Sequence, residues 1–213
     1  MFANLKTVLA TCLCIAACAY ADVPTNVWLS TTGGDWTNSV NWSRPELLDT
    51  TFYADLSAIT ESDAKVFVTN STKIQGLRFA PSGMTPGTTN VCTFACFDGR
   101  ADSTVFSFQK VGDVQSEIFV ASGTVISING TLKCQQGDGR IDCRGGGQLN
   151  LLGTADHDSM LWLHDMRLVP CSRNPTKGFA ARMFPEAVLD LSADTYLREF
   201  GLEDVEDFNP ILL

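Results

Sequence analysis

Basic residues are scarce in this sequence, and they do not cluster. Its 213 residues include 15 Lys and Arg against 24 Asp and Glu, which gives a net charge of −9 at neutral pH. Proteins that bind nucleic acid usually present a patch or stripe of positive charge. The composition therefore argues against nucleic acid as a partner, and the same acidity disfavours binding to anionic membrane surfaces.

Long apolar runs are absent after the first 21 residues. The initial run, "TVLATCLCIAACA", follows Lys6 and ends just before the small-x-small motif Ala19–Ala21. It is shorter than the roughly 20 residues that a membrane-spanning helix needs. This pattern is typical of a cleaved secretory signal peptide. We expect residues 1–21 to be removed, Asp22 to begin the mature chain, and the mature chain to have no integral membrane segment.

An alternative for the same region is lipid attachment at Cys18, because "IAAC" also fits the bacterial lipoprotein pattern. Under either interpretation the protein is exported. We expect it to be secreted or to be associated with the cell surface or outer membrane.

Familiar catalytic motifs are absent as well. The sequence contains no nucleophile elbow, P-loop, H-E-x-x-H motif or dinucleotide-binding glycine motif in a βαβ setting. Only two histidines occur, in the pairs His157–Asp158 and His164–Asp165. Because they are seven residues apart, a strand would place them on opposite faces, which favours surface or turn positions over a shared metal or catalytic site. We therefore expect no catalytic residues, no metal and no cofactor.

A carbohydrate-active enzyme is the alternative that the charged residues leave open, since a β-helix can gather carboxylates and arginines on one face. The candidates for such a face are Asp98, Asp102, Asp138, Asp142, Asp156, Asp158, Arg100, Arg140 and Arg144.

Eight cysteines are present, and five of them lie after the leader. An exported chain meets an oxidising compartment, so disulfides are allowed. Cys134 and Cys143 flank the Gly-rich turn "QQGDGRID" and are the preferred pair; Cys92 and Cys96 are a candidate second pair. A zinc site is not expected, because there is no C-x-x-C motif and no histidine nearby.

Short β-type segments dominate the rest of the chain. They are rich in β-branched and aromatic residues, often alternate apolar with polar positions, and are separated by Gly, Asn, Asp, Pro and Ser. The pattern predicts an all-β protein with strands at 65–69, 73–80, 91–97, 104–111, 117–121, 124–134 and 147–153.

Several of these segments recur every 20 to 25 residues. That spacing is compatible with a β-solenoid, in which each coil buries its apolar face by stacking on its neighbours. An antiparallel β-sandwich would also be compatible with it. The expected organisation is an N-terminal segment at 22–60, the β domain at 61–178, and an irregular C-terminal segment at 179–213 with a short helix over 193–201.

The segment that opens the mature chain, "VWLSTTGGDWTNSVNWS", has three tryptophans in a loop-like, nearly uncharged setting. It is followed by "D-x-x-F" at 49–52, by "KVFVTNSTKIQGLRFAPSG", and later by "RGGGQLNLLGTAD" at 144–156. In these features the chain resembles bacterial surface proteins with autotransporter-associated β-strand repeats, over about residues 22–156. The resemblance implies an exported parallel β-helix passenger without enzymatic activity; it does not specify how such a protein is attached to the surface.

Under this resemblance, Trp28, Trp36 and Trp42 would pack with Phe52 as an aromatic cap over the end of the first coil. The alternative is an exposed platform on which the same three indoles bind glycans. The resulting hypothesis is an acidic, non-catalytic surface or secreted protein with a structural or adhesive role, whose partners are glycans or other surface proteins. Buried indoles would favour the cap, and exposed ones the platform.

Overall fold

A computed structural model describes residues 23–68, 71–82, 89–96, 104–134, 139–152, 154–155, 160–170, 179–191, 197–202 and 211–212. Alternation of apolar and polar residues sets its strands. Ala64–Val68 and Ser116–Val120, for example, bury every second side chain, as strands with one face on a core do. The described part of the chain is all-β, with long parallel sheets and two short 3-10 helices, Ser39–Asn41 and Pro45–Leu47.

Sheet A has eight strands in chain order. They are β1 (Thr25–Val27), β3 (Tyr53–Asp55), β6 (Gly76–Phe79), β9 (Ser116–Val120), β12 (Arg140–Arg144), β15 (Met160–Leu163), β17 (Phe179–Met183) and β19 (Leu197–Leu202).

Sheet B also has eight strands in chain order, and sheet C has four. Sheet B consists of β2 (Gly33–Asp35), β4 (Ala64–Val68), β7 (Asn90–Cys96), β10 (Thr124–Ile128), β13 (Gln148–Leu151), β16 (Arg167–Pro170), β18 (Val188–Leu189) and β20 (Ile211–Leu212). Sheet C consists of β5 (Thr72–Ile74), β8 (Val105–Phe108), β11 (Thr131–Cys134) and β14 (Thr154–Ala155).

The chain visits the three sheets in a fixed rotation, A, B, C, from β3 to β16. Parallel neighbours need a long crossover, and here each crossover is made of strands of the other two sheets. The named strands pair only in parallel, so the antiparallel sandwich considered as an alternative is wrong.

The in-register pairing stacks identical positions of successive turns of the chain. In sheet A the inward side chains form an apolar ladder, and a single continuous core cluster extends from Trp28 to Leu189. The ladder runs through Leu77, Ile118, Cys143, Leu163 and Met183. Burial of such ladders, rather than contacts local in sequence, holds the sheets together.

The turns differ in length, yet the pairing in sheet A stays in register from β3 to β17; it shifts only between β17 and β19, at Phe179 and Ala180. Twenty residues separate the paired Asp142 and Trp162, whereas forty-one separate the paired Gly76 and Glu117. The extra length lies in connections between strands.

The expected C-terminal helix is wrong where the structure describes it. Leu197–Leu202 is strand β19, paired with β17, and the parallel pairing thus continues past residue 178. The segment lies beside the edge of sheet A, and pairing there satisfies its backbone groups, which overrides a weak helical propensity.

Candidate functional site

The outward positions of sheet A form two parallel columns of side chains. Because the strands pair in register, matched residues of neighbouring strands lie about 4.8 Å apart. The first column runs through Tyr53, Gly76, Glu117, Asp142, Trp162 and Arg182. The second runs through Asp55, Arg78, Phe119 and Arg144, and His164 and Phe184 follow the ends of β15 and β17 on the same side. We call these two columns, together with Arg140, the arginine-aromatic face.

Asp142 is the centre of the charges on this face. Its Oδ1 accepts hydrogen bonds from Arg140 Nε at 2.7 Å and lies 3.0 Å from His164 Nε2, and its Oδ2 lies 3.7 Å from a terminal nitrogen of Arg144. The aspartate is only 5% exposed, so the three partners compensate a carboxylate that is largely removed from water. These contacts therefore fix Arg140 and Arg144, at the two ends of β12, relative to His164, which follows β15.

Aromatic rings hold the arginines in place. The guanidinium of Arg140 lies 3.8 Å from the centre of the Trp162 ring, and that of Arg182 lies 5.8 Å from it. Arg78 stacks over Phe119 at 4.6 Å. Such cation–π contacts orient a planar guanidinium without using its N–H donors.

The histidine of this face is also held by an aromatic ring. His164 stacks on Phe184, with ring centres 4.2 Å apart and planes 17° apart. Its Nε2 faces Asp142, so both its plane and one of its nitrogens are fixed.

Burial changes the titration of two groups on the first column. It raises the pKa of Glu117, an effect that Arg144 opposes and Asp142 increases. Burial, followed by the charge of Glu117, also raises the pKa of Tyr53. Gly76 makes this arrangement possible, because a Cβ there would lie 2.4 Å from Cε2 of Tyr53. The tyrosine ring therefore lies across Gly76 towards Glu117.

The three early tryptophans lie elsewhere, in the interior. Trp28, Trp36 and Trp42 are 0%, 3% and 2% exposed, and their rings contact one another at 4.7 to 6.4 Å between centres. Phe52 packs on Trp36 and Trp42 at 6.1 and 5.4 Å. These indoles present no stacking face to solvent, in contrast to the alternative of a glycan platform at these positions.

Local backbone geometry explains how the tryptophans meet. Trp28 and Trp42 form an antiparallel bridge, and Nε1 of Trp42 donates to the carbonyl of Trp36 at 2.7 Å. Between them, Gly33 and Gly34 have φ of +93° and +135°, values that residues with a Cβ rarely adopt. The chain can therefore reverse within a few residues and fold the indoles over the core.

Neither expected disulfide forms. Cys143 is a free, fully buried thiol that points into the core between Ile118 and Leu163, and burial raises its pKa. Cys92 is free as well, and burial raises its pKa to about 12. Cys96 is four residues further along the same strand, which separates the two Cα atoms by about 13 Å, beyond the reach of a disulfide.

The structure describes one of the two His–Asp pairs of the sequence, His164–Asp165. His164 faces Asp142, while Oδ1 of the adjacent Asp165 accepts a hydrogen bond from the Gly145 amide at 2.8 Å. Of the charged candidates for an enzymatic face, Arg140, Asp142 and Arg144 meet. The others lie outside the described residues, as do both members of the second pair; these are Asp98, Arg100, Asp102, Asp138, Asp156, His157 and Asp158.

Sequence reasoning missed Tyr53, Glu117 and Trp162 as members of a common face. The available signal was alternation. "RIDCR" has a charged residue at every second position, and "MLWLH" has Met160, Trp162 and His164 at the corresponding positions. Alternation identifies outward positions but does not identify which segments are neighbours.

A separate groove of about 460 Å³ lies beside the tryptophan cluster. It is lined mainly by neutral residues, with Asp49 and Lys73 as its charged members. Its lining includes no residue of the arginine-aromatic face and no comparable group of interacting charges.

No metal cluster, membrane-spanning helix or related protein identifies a function for the described residues. Within the part of the chain that the structure describes, no group of three or more His, Cys, Asp or Glu residues is arranged to hold a metal ion. Over the same residues, no helix has the length and apolarity needed to cross a membrane. Comparison with protein-family models, curated proteins and solved structures gives no match.

Proposed function

We propose that the protein is an exported parallel β-helix that serves as a non-catalytic structural or adhesive element, secreted or displayed at the cell surface. The observation that carries the proposal is the fixed rotation of strands among three parallel sheets from β3 to β16. In a β-helix each turn of the chain contributes one strand to each sheet and buries its apolar residues against the turns before and after.

The buried aromatic cluster supports this architecture. The first turn of a β-helix has no preceding turn to cover its interior, so it needs a cap. Trp28, Trp36 and Trp42 lie in that turn, and Trp36 also contacts Phe94 of a following strand at 6.0 Å. The cluster therefore covers the N-terminal end of the stack and is continuous with its core.

A structural or adhesive role suits the geometry of the sheets. Eight strands spaced about 4.8 Å apart form a face about 34 Å long. Backbone pairing fixes the spacing of its residues, so the face can present a repeated chemical pattern to a long partner without a deep pocket. Export is supported by the features of residues 1–21, which lie outside the described residues.

The architecture is tested by disulfide trapping. Lys65 and Thr93 are matched outward neighbours of β4 and β7, whereas Lys65 and Ser127 are two strands apart. Lys65→Cys/Thr93→Cys should form a disulfide under mild oxidation, because matched Cα atoms lie within bonding range. Lys65→Cys/Ser127→Cys, at about 9.6 Å, should not. Bridging by the second pair but not the first would refute the proposed stacking.

The exported role is tested by expressing the full chain in a Gram-negative host. The expected product begins at Asp22 and is absent from the cytoplasm. Cells that display it, or a surface coated with it, should retain a partner cell or glycan. The matched control is Ala21→Arg, which removes the small residue at the cleavage site and should block processing. Retention of the unprocessed wild-type chain in the cytoplasm would contradict export.

A further inference from the structure

We propose that the arginine-aromatic face binds an acidic polysaccharide whose sugars carry carboxylates, with the polymer lying along the stacking direction of the strands. This inference rests on the proposed adhesive role and gives it a ligand class. It concerns a different set of residues from the buried tryptophans.

The distribution of charge on the face favours an anionic partner. The whole chain has a net charge of −9, yet this face includes four arginines, at 78, 140, 144 and 182. Its carboxylates are Asp55, Glu117 and Asp142, so arginines outnumber them here although acids outnumber bases in the chain as a whole. Positive charge therefore exceeds negative charge within this face, which reduces the repulsion that an anionic partner meets there.

Three of these arginines, Arg78, Arg140 and Arg144, keep hydrogen-bonding capacity. A guanidinium has five N–H donors. Arg140 contacts Asp142 through Nε, and Arg78 stacks on Phe119. Arg144 is 48% exposed, and its terminal nitrogen lies 3.7 Å from Asp142 and 3.5 Å from Nε2 of His164. A planar fork of donors held by an aromatic ring is suited to a carboxylate, which it binds through two parallel hydrogen bonds.

Acceptor oxygens on the face distinguish a sugar from other anions. Glu117 is half-buried and presents acceptor oxygens beside the arginines, whereas the oxygens of neighbouring Asp142 already contact Arg140, His164 and Arg144. A phosphodiester group has no hydrogen-bond donor to offer Glu117, but sugar hydroxyl groups can donate hydrogen bonds to it. Burial raises the pKa of Glu117, because it disfavours the charged carboxylate.

Rings alternate with charges on the face. Half-buried Phe119, Trp162 and Phe184 occur between the charged residues of the two columns. The exposed part of each ring, which also stacks with Arg78, Arg140 or His164, provides apolar surface that the C–H groups of a sugar can contact. A polymer that repeats an apolar face, hydroxyl groups and a carboxylate matches this sequence of groups along neighbouring strands.

The inference is tested by titrating the purified, processed protein with polygalacturonate and, in parallel, with its fully methyl-esterified form. We expect binding to polygalacturonate only, weakening as salt is added because the interaction is charge-dependent. Equal binding to the neutral ester would overturn the proposal. Tighter binding to a sulfated glycan or to a single-stranded oligonucleotide would also overturn it, since either would identify a different anion.

Variants identify the surface. Arg78→Gln and Arg144→Gln should each weaken binding about tenfold, the effect of losing one charge-assisted contact. The matched control is Arg44→Gln, which makes the same change at an exposed arginine near the N-terminus whose partner is Glu46. Circular dichroism and the melting temperature verify folding, and Arg78 provides a test that does not disturb the contacts of Asp142. An equal loss in Arg44→Gln, or no loss in either face variant, would contradict the proposal.

The outcomes separate this inference from the broader function. If the purified protein binds the polymer but the full chain is not exported in cells, only the export proposal is refuted. Export with adhesion, but without any effect of the two arginine variants, would refute the site alone. Release of new sugar ends from the polymer would refute a non-catalytic role while retaining the ligand.

Discussion

At the scale of single residues, Trp28 and Trp42 are equally buried, but their indole N–H groups differ. Nε1 of Trp42 donates to the Trp36 carbonyl at 2.7 Å, whereas Nε1 of Trp28 has no hydrogen-bond partner among the described residues. Both substitutions to phenylalanine remove similar volume. We expect Trp42→Phe to lower the free energy of unfolding by about 1–2 kcal/mol more than Trp28→Phe, because only it abolishes a buried hydrogen bond. Urea denaturation measures the difference, and equal losses would contradict this assignment.

Glu117 provides a prediction about pH. Burial raises its pKa above the ordinary value of 4.5, so the folded protein retains the proton to a higher pH than the unfolded chain does. The stability that this group contributes is therefore present below pH 4.5 and is lost as the pH rises through the pKa of Glu117 in the folded protein. Glu117→Gln should gain stability over wild type between about pH 4 and about pH 7, with little difference at the lower end. The control is Glu186→Gln in an exposed turn; a constant difference across this range would contradict the prediction.

At the scale of elements, β3 and β6 pack tightly where Gly76 pairs with Tyr53. A Cβ on Gly76 would lie 2.4 and 2.6 Å from the Tyr53 ring and 3.0 Å from the Glu117 carbonyl. Gly76→Ala should therefore destabilise the protein by about 1–3 kcal/mol through overpacking. Tyr53→Ala should relieve most of that cost, so a double-mutant cycle should show strong coupling. Additive effects in thermal melts would show that the backbone contact, and not the ring, is limiting.

The strands themselves were largely accessible from sequence, since alternation and turn residues give their positions directly. The segments expected at 65–69, 91–97, 117–121 and 147–153 correspond to β4, β7, β9 and β13. The expected spacing of 20 to 25 residues fits only some of the pairings: Asp142 and Trp162 are 20 residues apart, but Gly76 and Glu117 are 41 apart. The segments used for that spacing also came from both sheets A and B.

The face could not be predicted to the same extent. Arg140, Asp142 and Arg144 are recognisable as candidates because they lie within one short segment. Their contact with His164 depends on the register between β12 and β15, which no local pattern specifies. The contribution of Glu117 further depends on a turn of a different length, so the neighbours of a residue follow from stacking and not from sequence distance.

At the scale of the whole molecule, stability should be distributed along the stack and not concentrated at one centre. Each turn contacts mainly its neighbours, so damage at one end should spread from that end. We expect Trp42→Ala to cost about 3–5 kcal/mol and to remove amide hydrogen-exchange protection first in β1 and β3, while β13 and β15 stay protected. The matched variant Leu149→Ala, a buried position of β13, should instead weaken the middle of the stack. Simultaneous loss of protection everywhere in both variants would indicate one indivisible core.

The unequal lengths of the turns have a practical corollary. The extra residues of the longer turns lie in the connections, while the paired strands keep their spacing. The connections can therefore be lengthened without disturbing the sheets. The turn at Gly112 and Asp113 is exposed, and the space around Gly112 is open. A foreign epitope grafted there would be carried outward on an unchanged scaffold, which makes the molecule a natural vehicle for presenting peptides.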